Sequence, residues 1–231
     1  MGSKTLKRAF SDSLPVMAGY LALGIGFGVL LHSKGYSVIW AFAMSCTIYG
    51  GSIQYAAVDL LSSGAGLITT GIMTLIINAR HIFYGLSMLG KYQKVGRIKP
   101  YLIFAMTDET YSIACTADLG DDINKNKYYF LLSLFDQCYW IIGSMLGVII
   151  STVIKFNSAG VEFAMTALFV SIFVDQWRTA KSHIPAVLGV VITLACLIVF
   201  GSDSFVIPAM ILIAFSLVLL RGKLESEADK Q

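Results

Sequence analysis

The chain has 231 residues, of which 56% are hydrophobic and only 13% are charged, and its mean hydropathy is +0.74. Soluble domains carry about 25% charged residues, so this composition excludes an ordinary soluble protein and indicates an integral membrane protein. The net charge is +3. Its cations fall in short loops beside apolar segments, which is typical of membrane topology rather than of nucleic-acid binding.

Eight apolar stretches follow one another along the chain, and each is a candidate membrane segment. The first follows Lys4, Lys7 and Arg8 and is longer than the apolar part of a typical signal peptide. We therefore expect it to cross the membrane from a cytoplasmic N-terminus. The stretches are Leu14–Leu31, Val38–Leu61, Gly66–Gly90, Pro100–Ala117, Tyr128–Ile154, Val161–Val174, His183–Phe200 and Phe205–Leu220.

Loop charge indicates that one early stretch does not cross the membrane. The loop Lys91–Lys99 holds four cations and no acid, so it is predicted to be cytoplasmic like the N-terminus. Three stretches separate these two basic regions, and three full crossings would place them on opposite sides. The stretch Val38–Leu61 carries Tyr49-Gly50-Gly51-Ser52 at its centre. We expect it to form a re-entrant pair of half-helices around this break.

The same rule predicts the rest of the topology. The acidic loop Asp118–Lys127 is expected outside, and a second re-entrant hairpin over Val161–Ser182 keeps the later cations inside. The C-terminus is then also cytoplasmic. The predicted fold is all-α, with about six transmembrane helices and two re-entrant or broken segments.

A weak internal repeat supports this arrangement. Phe42-Ala43-Met44-Ser45 and Phe163-Ala164-Met165-Thr166 align at an offset of 121 residues, and Gly26 meets Gly147 at the same offset. A repeat unit with three crossings makes the second copy inverted, as in many secondary transporters. We therefore predict one transmembrane domain over residues 1–231, with halves at about 10–117 and 128–221 and a polar tail at 222–231.

Ionisable residues inside the apolar stretches are candidates for coupling or gating. They are Arg80, His81, Asp108, Glu109 and Asp136. A charged side chain at mid-membrane costs about 2.5–3.5 kcal/mol on insertion scales, so such residues usually have a function. Counting residues from the segment ends places Arg80 level with Asp108 and Glu109, which predicts an ion pair. The alternative is that such a pair only fixes helix packing.

The break in Val38–Leu61 is the candidate substrate site. Free N–H groups at the start of a half-helix bind anions such as an amino-acid carboxylate. Gly50, Gly51 and Ser52 would supply these groups, with Gln54 and nearby Asn78 adding amides. The alternative is that the glycine pair only allows close helix packing.

Enzyme signatures are absent from the sequence. Ser52 lies in Gly-Gly-Ser-Ile rather than in a G-x-S-x-G elbow, and the chain has neither an H-E-x-x-H pattern nor a P-loop. The four cysteines lie inside apolar runs without a C-x-x-C pair. We therefore expect a protein that is not an enzyme and that has no metal, disulfide or cofactor.

Three polar stretches resemble the signatures of the AzlC family, the large subunits of branched-chain amino-acid exporters. They are Tyr49-Gly50-Gly51-Ser52-Ile53-Gln54, Asn78-Ala79-Arg80-His81-Ile82-Phe83-Tyr84-Gly85 and Thr107-Asp108-Glu109-Thr110. The resemblance implies export of small apolar amino acids from a bacterial cytoplasm and a small hydrophobic AzlD-like partner subunit.

The function that we expect is therefore secondary active export of branched-chain amino acids across the bacterial inner membrane, coupled to the proton gradient. A passive small-solute channel is one alternative, although a channel needs a continuous polar lining. A scaffold subunit of a membrane complex is the other, although a scaffold would not explain the charges at the midplane.

Overall fold

The computed structural model describes residues 2–120, 122–153 and 182–201, together with residues 170, 173–174, 177–178, 180, 205, 208–209, 211–213 and 215–220. The described residues contain no β-strand, and nine α-helices have their full bounds within them. The helices are α1 (Gly2–Ser33), α2 (Val38–Thr47), α3 (Gly51–Ser62), α4 (Leu67–Asn78), α5 (Arg80–Met88), α6 (Lys99–Phe104), α7 (Asp108–Thr116), α8 (Lys125–Val153) and α9 (Ile184–Phe200).

The chain divides into two compact units, residues 1–165 and 166–231. In the described part of the first unit, α1 and α8 are long and apolar enough to cross a membrane, and the bent pair α4–α5 adds a third candidate span. In the second unit, α9 is apolar along its length, and the Trp177 and His183 rings stack with centroids 4.2 Å apart. The all-helical expectation is confirmed, whereas the count of six spans remains a prediction.

The two long helices run parallel and form the centre of the first unit. The Asn124 N–H, just before α8, donates to Thr5 at the start of α1. Further along, a Cβ placed on Gly24 would lie 2.9 Å from the Ser144 nitrogen, and one placed on Gly143 would lie 2.9 Å from the Leu21 oxygen. The absence of a side chain on either glycine therefore lets the two backbones touch at this point.

The pair α2–α3 is the first hairpin, and the predicted break is confirmed. The helix α2 ends at Thr47 and α3 begins at Gly51. The Lys34 ammonium, just after α1, lies 3.9 Å from the Asp59 carboxylate near the end of α3. The end of α3 therefore returns to the end of the unit where α2 begins. Helices of 10 and 12 residues are about 15 and 18 Å long, roughly half of a bilayer core.

The stretch Pro100–Ala117 forms a second hairpin, so its prediction as one crossing helix is wrong. The helix α6 ends at Phe104, and α7 starts at Asp108 with Thr107 as its N-cap. The Lys91 ammonium donates to the carbonyls of Ala114 and Cys115, 2.9 and 2.7 Å away, so α7 returns to the loop from which α6 started. Thr-Asp-Glu-Thr is a strong helix start, because a Thr cap and two acids complement the free N–H groups and the helix dipole.

The second hairpin changes the predicted sidedness. The Asn126 side chain donates to the Lys94 carbonyl, and Lys4 forms an ion pair with Asp122 at 2.9 Å. The N-terminus, the basic loop and the acidic loop Asp118–Lys127 therefore lie at one end of the unit. The prediction that this acidic loop faces the opposite side from the basic loop is wrong.

The inverted repeat is also wrong for the first helix of each half. An inverted relation requires α1 and α8 to run in opposite directions, but they run parallel. Gly147 packs against Gly28 and the Ile25 backbone, whereas Gly26, with which it aligns in sequence, faces the Tyr55 hydroxyl. Most of the second predicted hairpin, Val161–Ser182, and all of the tail 222–231 lie outside the described residues.

The stretch Gly66–Gly90 is bent rather than straight. The helices α4 and α5 meet at Ala79 with an angle of 48°. The Ile82 N–H bonds to the Ala79 carbonyl three residues back, while the His81 ring lies 3.2 Å from the Asn78 carbonyl. A side chain that bonds to a carbonyl of the helix ladder is a usual cause of such a bend.

Candidate functional site

Three interruptions of the helices meet beside the pair of long helices. They are residues 48–50 of the first hairpin, the bend at Ala79 and residues 105–107 of the second hairpin. The rings of Tyr49 and Phe104, one from each hairpin tip, lie 6.2 Å apart. At 1.5 Å per residue, Asp136 lies about 17 Å along α8 from the start of the helix at Lys125, which is near the middle of a bilayer core. Irregular backbone at this depth is tolerated where protein covers it or where it lines a cavity.

The bend carries the only cation that the described residues place among these three breaks. Arg80 forms an ion pair with Asp108 at 2.6 Å and donates to the Ser52 hydroxyl at 3.0 Å. Their side chains are 34% and 19% exposed. The predicted pairing of Arg80 is therefore confirmed with Asp108 and not with Glu109. The guanidinium holds together the N-terminal turns of α3 and α7 from the two hairpins.

Gln54 supports the first break. Its side-chain oxygen accepts from the Gly50 N–H at 3.2 Å and from the Trp140 indole at 2.8 Å, while its nitrogen donates to the Ser45 hydroxyl at 3.2 Å. The residue is completely buried. One amide thus connects α2, the break, α3 and α8, so its hydrogen-bonding capacity is largely used within the protein.

Tyr49 is the tip of the first hairpin. It is the one residue other than glycine with a positive φ, at 41°, in the described part of the chain. Its ring is buried, and its hydroxyl has no hydrogen-bond partner among the described residues. A bulky residue in this conformation is uncommon and marks turns, strain or functional sites.

Gly50 and Gly51 form the turn into α3. Gly50 is extended and has no side chain to cap the helix, so the first N–H groups of α3 receive no side-chain cap. A Cβ added to Gly51 would meet the Trp140 ring at 3.4 Å. The sequence prediction of an accessible half-helix start is compatible with this geometry, while its role in binding remains a prediction.

A chain of hydroxyl groups connects Glu109 with Asp136. The Tyr20 hydroxyl lies 2.7 Å from a Glu109 oxygen and 2.5 Å from the Thr107 hydroxyl. Thr107 donates to the Thr110 hydroxyl at 3.0 Å, which in turn donates to Asp136 at 2.7 Å. Asp136 is completely buried, and its second carboxyl oxygen has no partner among the described residues. Three hydroxyls therefore bridge two carboxyl groups.

His81 and Asn78 lie beside this network at the bend. In the tautomer protonated at Nδ1, the His81 ring donates to the Asn78 carbonyl, and its edge packs on the Tyr84 ring 5.5 Å away. An apolar cleft of about 310 Å³ opens next to it between α5 and α6. His81, Ile82, Leu86, Met88, Ile103 and Met106 are among the residues that line the cleft.

Five residues of this site receive no role in the sequence analysis, although three of them lie in the signature stretches. Tyr20, Tyr49, Thr107, Thr110 and Trp140 are all buried, and each contacts a residue that the sequence did single out. Their polar atoms count little in a hydropathy profile, because Tyr, Trp and Thr are common in apolar helices. The available signal was Thr107 directly before two acids, which predicts an N-cap and a helix start.

Comparisons with known proteins agree with the three polar stretches. A family model described as AzlC protein matches residues 15–154, more than half of the chain, and this range holds every residue of the site. The branched-chain amino acid transport protein AzlC of Bacillus subtilis (strain 168) is 42% identical over 95% of this chain and 86% of its own length. A membrane protein of Helicobacter pylori (strain ATCC 700392 / 26695) is 37% identical over 96% and 97%.

The inner membrane protein YgaZ of Escherichia coli (strain K12) is 26% identical over 78% of this chain and 77% of its own length. No solved structure matches the chain significantly.

Proposed function

The chain belongs to the AzlC family, and we propose that it is a secondary transporter that exports branched-chain amino acids from the bacterial cytoplasm. The observation that carries this proposal is the meeting of three interrupted helices around the Arg80–Asp108 ion pair and the carboxyl groups of Glu109 and Asp136. Secondary transporters typically bind their substrates at midplane sites formed by discontinuous helices. The name of the Bacillus subtilis relative supports the substrate class.

The substrate carboxylate would bind at the start of α3. Gly50, Gly51 and Ser52 would supply backbone N–H groups and a hydroxyl, and Arg80 lies 3.0 Å from that hydroxyl. The ammonium group of the substrate would then face the carboxylates of Asp108 and Glu109. The apolar cleft between α5 and α6 supports a place for an aliphatic side chain.

Gln54 and Asn78 would position this site without contacting the substrate. The three hydrogen bonds of Gln54 favour a positioning role over direct contact. Asn78 would act through the bend, because its carbonyl is bonded by His81 and its partly buried side chain sits one residue before the turn.

Proton coupling would depend on the acids and on the bend. Arg80, His81 and Asp108 would link substrate binding to movement of the two hairpins, while Glu109 and Asp136 would take up and release protons. Intramembrane carboxyl groups in transporters commonly serve in proton relays. The cluster offers three of them within two helices.

The basic end of the first unit would face the cytoplasm. Lys4, Lys94 and Lys127 lie at this end together with the other cations of the two loops and of the N-terminus. Cytoplasmic loops carry the excess of Lys and Arg. This distribution supports a location in the bacterial inner membrane with a cytoplasmic N-terminus. Arg221 and Lys223, which follow the last apolar stretch, support a cytoplasmic C-terminus.

A small AzlD-like subunit would complete the transporter. The helix α4 has no buried residue in the chain alone, and Leu67, Ile68 and Leu75 are at least 75% exposed. A face of this kind needs lipid or protein to cover it.

The decisive experiment is an efflux panel. Cells that express the chain together with its genomic neighbour are loaded with valine, leucine, isoleucine, methionine, glutamate or lysine, and efflux is followed with and without a protonophore. We expect efflux of the apolar amino acids against a gradient, and we expect the protonophore to abolish it. Efflux that only equilibrates the two sides would indicate a passive channel. Efflux by the neighbour alone would indicate a scaffold.

A further inference from the structure

We infer that the hydroxyl groups of Tyr20, Thr107 and Thr110 form a proton relay between Glu109 and Asp136. The role of this relay in proton coupling rests on the proposed function. Its existence does not, because proton transfer along it needs no substrate. The relay assigns a role to three uncharged residues, which connect the two acids that the sequence singles out.

The geometry forms an unbroken path. Its four oxygen–oxygen distances run from 2.5 to 3.0 Å, so every step lies within hydrogen-bond range. The elements involved hold the hydroxyls in place. Tyr20 comes from α1, where its ring packs edge-on against Trp140 at 5.5 Å. The Thr110 N–H is bonded to the Thr107 oxygen at 3.3 Å, which fixes the threonine pair at the start of α7.

The protons balance along the path. With the proton on Glu109, each hydroxyl points toward Asp136 and accepts from the group before it. A concerted shift breaks the Glu109 O–H bond, moves one proton across each hydrogen bond and forms an O–H bond on Asp136. Each hydroxyl gains one proton and loses one. Glu109 ends ionised and Asp136 neutral, and the reverse shift restores the first state.

The surroundings give the path two different ends. Glu109 is partly buried and lies next to the Arg80–Asp108 pair, whereas Asp136 is completely buried. The described titratable groups near Asp136 on other elements are Glu109, at the far end of the path, and the phenols of Tyr49 and Tyr101. No ion pair joins Asp136 to a cation among the described residues. The second oxygen of Asp136 is an acceptor for which the described part of the chain offers no donor. A carboxyl group enclosed in this way can exchange protons with the site only through its neighbours, and Thr110 is its bonded neighbour.

The test uses the full chain in lipid and infrared spectroscopy after a pH jump, with no substrate present. The carbonyl band that Asp136→Asn removes reports protonation of Asp136. We expect Tyr20→Phe and Thr110→Val to slow the appearance of this band by about a hundredfold, as the loss of one proton-transfer partner typically does. Thr110→Ser keeps the hydroxyl and should restore the rate.

The matched control is Tyr139→Phe. This buried tyrosine also lies on the α8 interface, but its hydroxyl bonds to Ser13, away from the relay. Its rate should equal that of the unaltered chain. Equal rates in Tyr20→Phe and in the unaltered chain would overturn the relay, and so would a pH-dependent spectrum that Asp136→Asn leaves unchanged. If Tyr20→Phe does not fold, Thr110→Val against Thr110→Ser decides the same point.

The same variants separate the relay from the transport proposal. In vesicles, Thr110→Val should lose gradient-driven transport of branched-chain amino acids by far more than it loses exchange of equal concentrations across the membrane. A slowed infrared signal in a chain that transports none of these amino acids would leave the relay standing and refute the proposed substrate.

Discussion

Removal of the Arg80 charge should destabilise the protein by an amount that depends on how deeply its ion pair is buried. The pair with Asp108 is short, at 2.6 Å, and partly exposed, with side chains 34% and 19% accessible. Exposed pairs contribute about 0–1 kcal/mol, and loss of one partner from a buried pair costs about 3–5 kcal/mol. For this intermediate burial we expect Arg80→Gln to lower the free energy of unfolding by about 2 kcal/mol. In a chain of this length that corresponds to a melting temperature lower by roughly 4–8 °C.

A double mutant separates stability from transport. Asp108→Asn alone should destabilise similarly, and the two substitutions together should recover most of the melting temperature, because no lone charge remains. If the pair takes part in coupling, amino-acid efflux should stay lost in the double mutant. The matched control is the pair of Lys4 and Asp122, 69% and 75% exposed at 2.9 Å, whose removal should change neither quantity.

The measurements are thermal unfolding in detergent and efflux at matched membrane levels. A double mutant that recovers both stability and efflux would show that the Arg80 pair only fixes packing. Single mutants that melt like the unaltered chain would contradict the energetic reasoning itself.

Three other changes test the fold and the site. Gln54→Ala should leave buried donors unpaired and cost about 1–3 kcal/mol of stability in thermal unfolding, together with most of the efflux. Gly147→Leu should prevent the contact of α1 with α8 and abolish monodisperse protein in size-exclusion chromatography, while Gly19→Leu, with open space around its Cβ, should not. In a background without native cysteines, Ser63→Cys should react with an impermeant reagent from outside, and Asn126→Cys only after the membrane is opened. Labelling of Asn126→Cys in intact cells would refute the second hairpin.

The parts of the fold that the sequence predicted correctly depend on strong local signals. The break in Val38–Leu61 followed from counting three apolar stretches between two basic regions, together with the Gly-Gly pair at the centre of this stretch. The ion pair of Arg80 with Asp108 followed from counting residues on either side of one short basic loop. Both arguments use distances along the chain, which the sequence contains.

The errors come from relations that the sequence does not contain. Ala105-Met106-Thr107 is apolar enough to continue a helix in a hydropathy profile, so the break before Asp108 was hidden although the Thr cap pointed to it. Spacing of glycines on α1 and α8 shows that two backbones can approach, but not whether the helices run in the same direction. Direction depends on how many segments between them cross the membrane, and one wrong crossing reversed it.

Tyr49 has a consequence for the balance between transport states. An L-residue in the left-handed region costs roughly 1–2 kcal/mol, and about 1.4 kcal/mol is a factor of ten in an equilibrium constant. A second conformation of the first hairpin in which Tyr49 has a negative φ would be free of this cost. Its population relative to the present conformation would therefore be about tenfold higher than without this strain. The backbone of Tyr49 would thereby contribute to the equilibrium between conformations open to one or the other side of the membrane, before any substrate or proton binds.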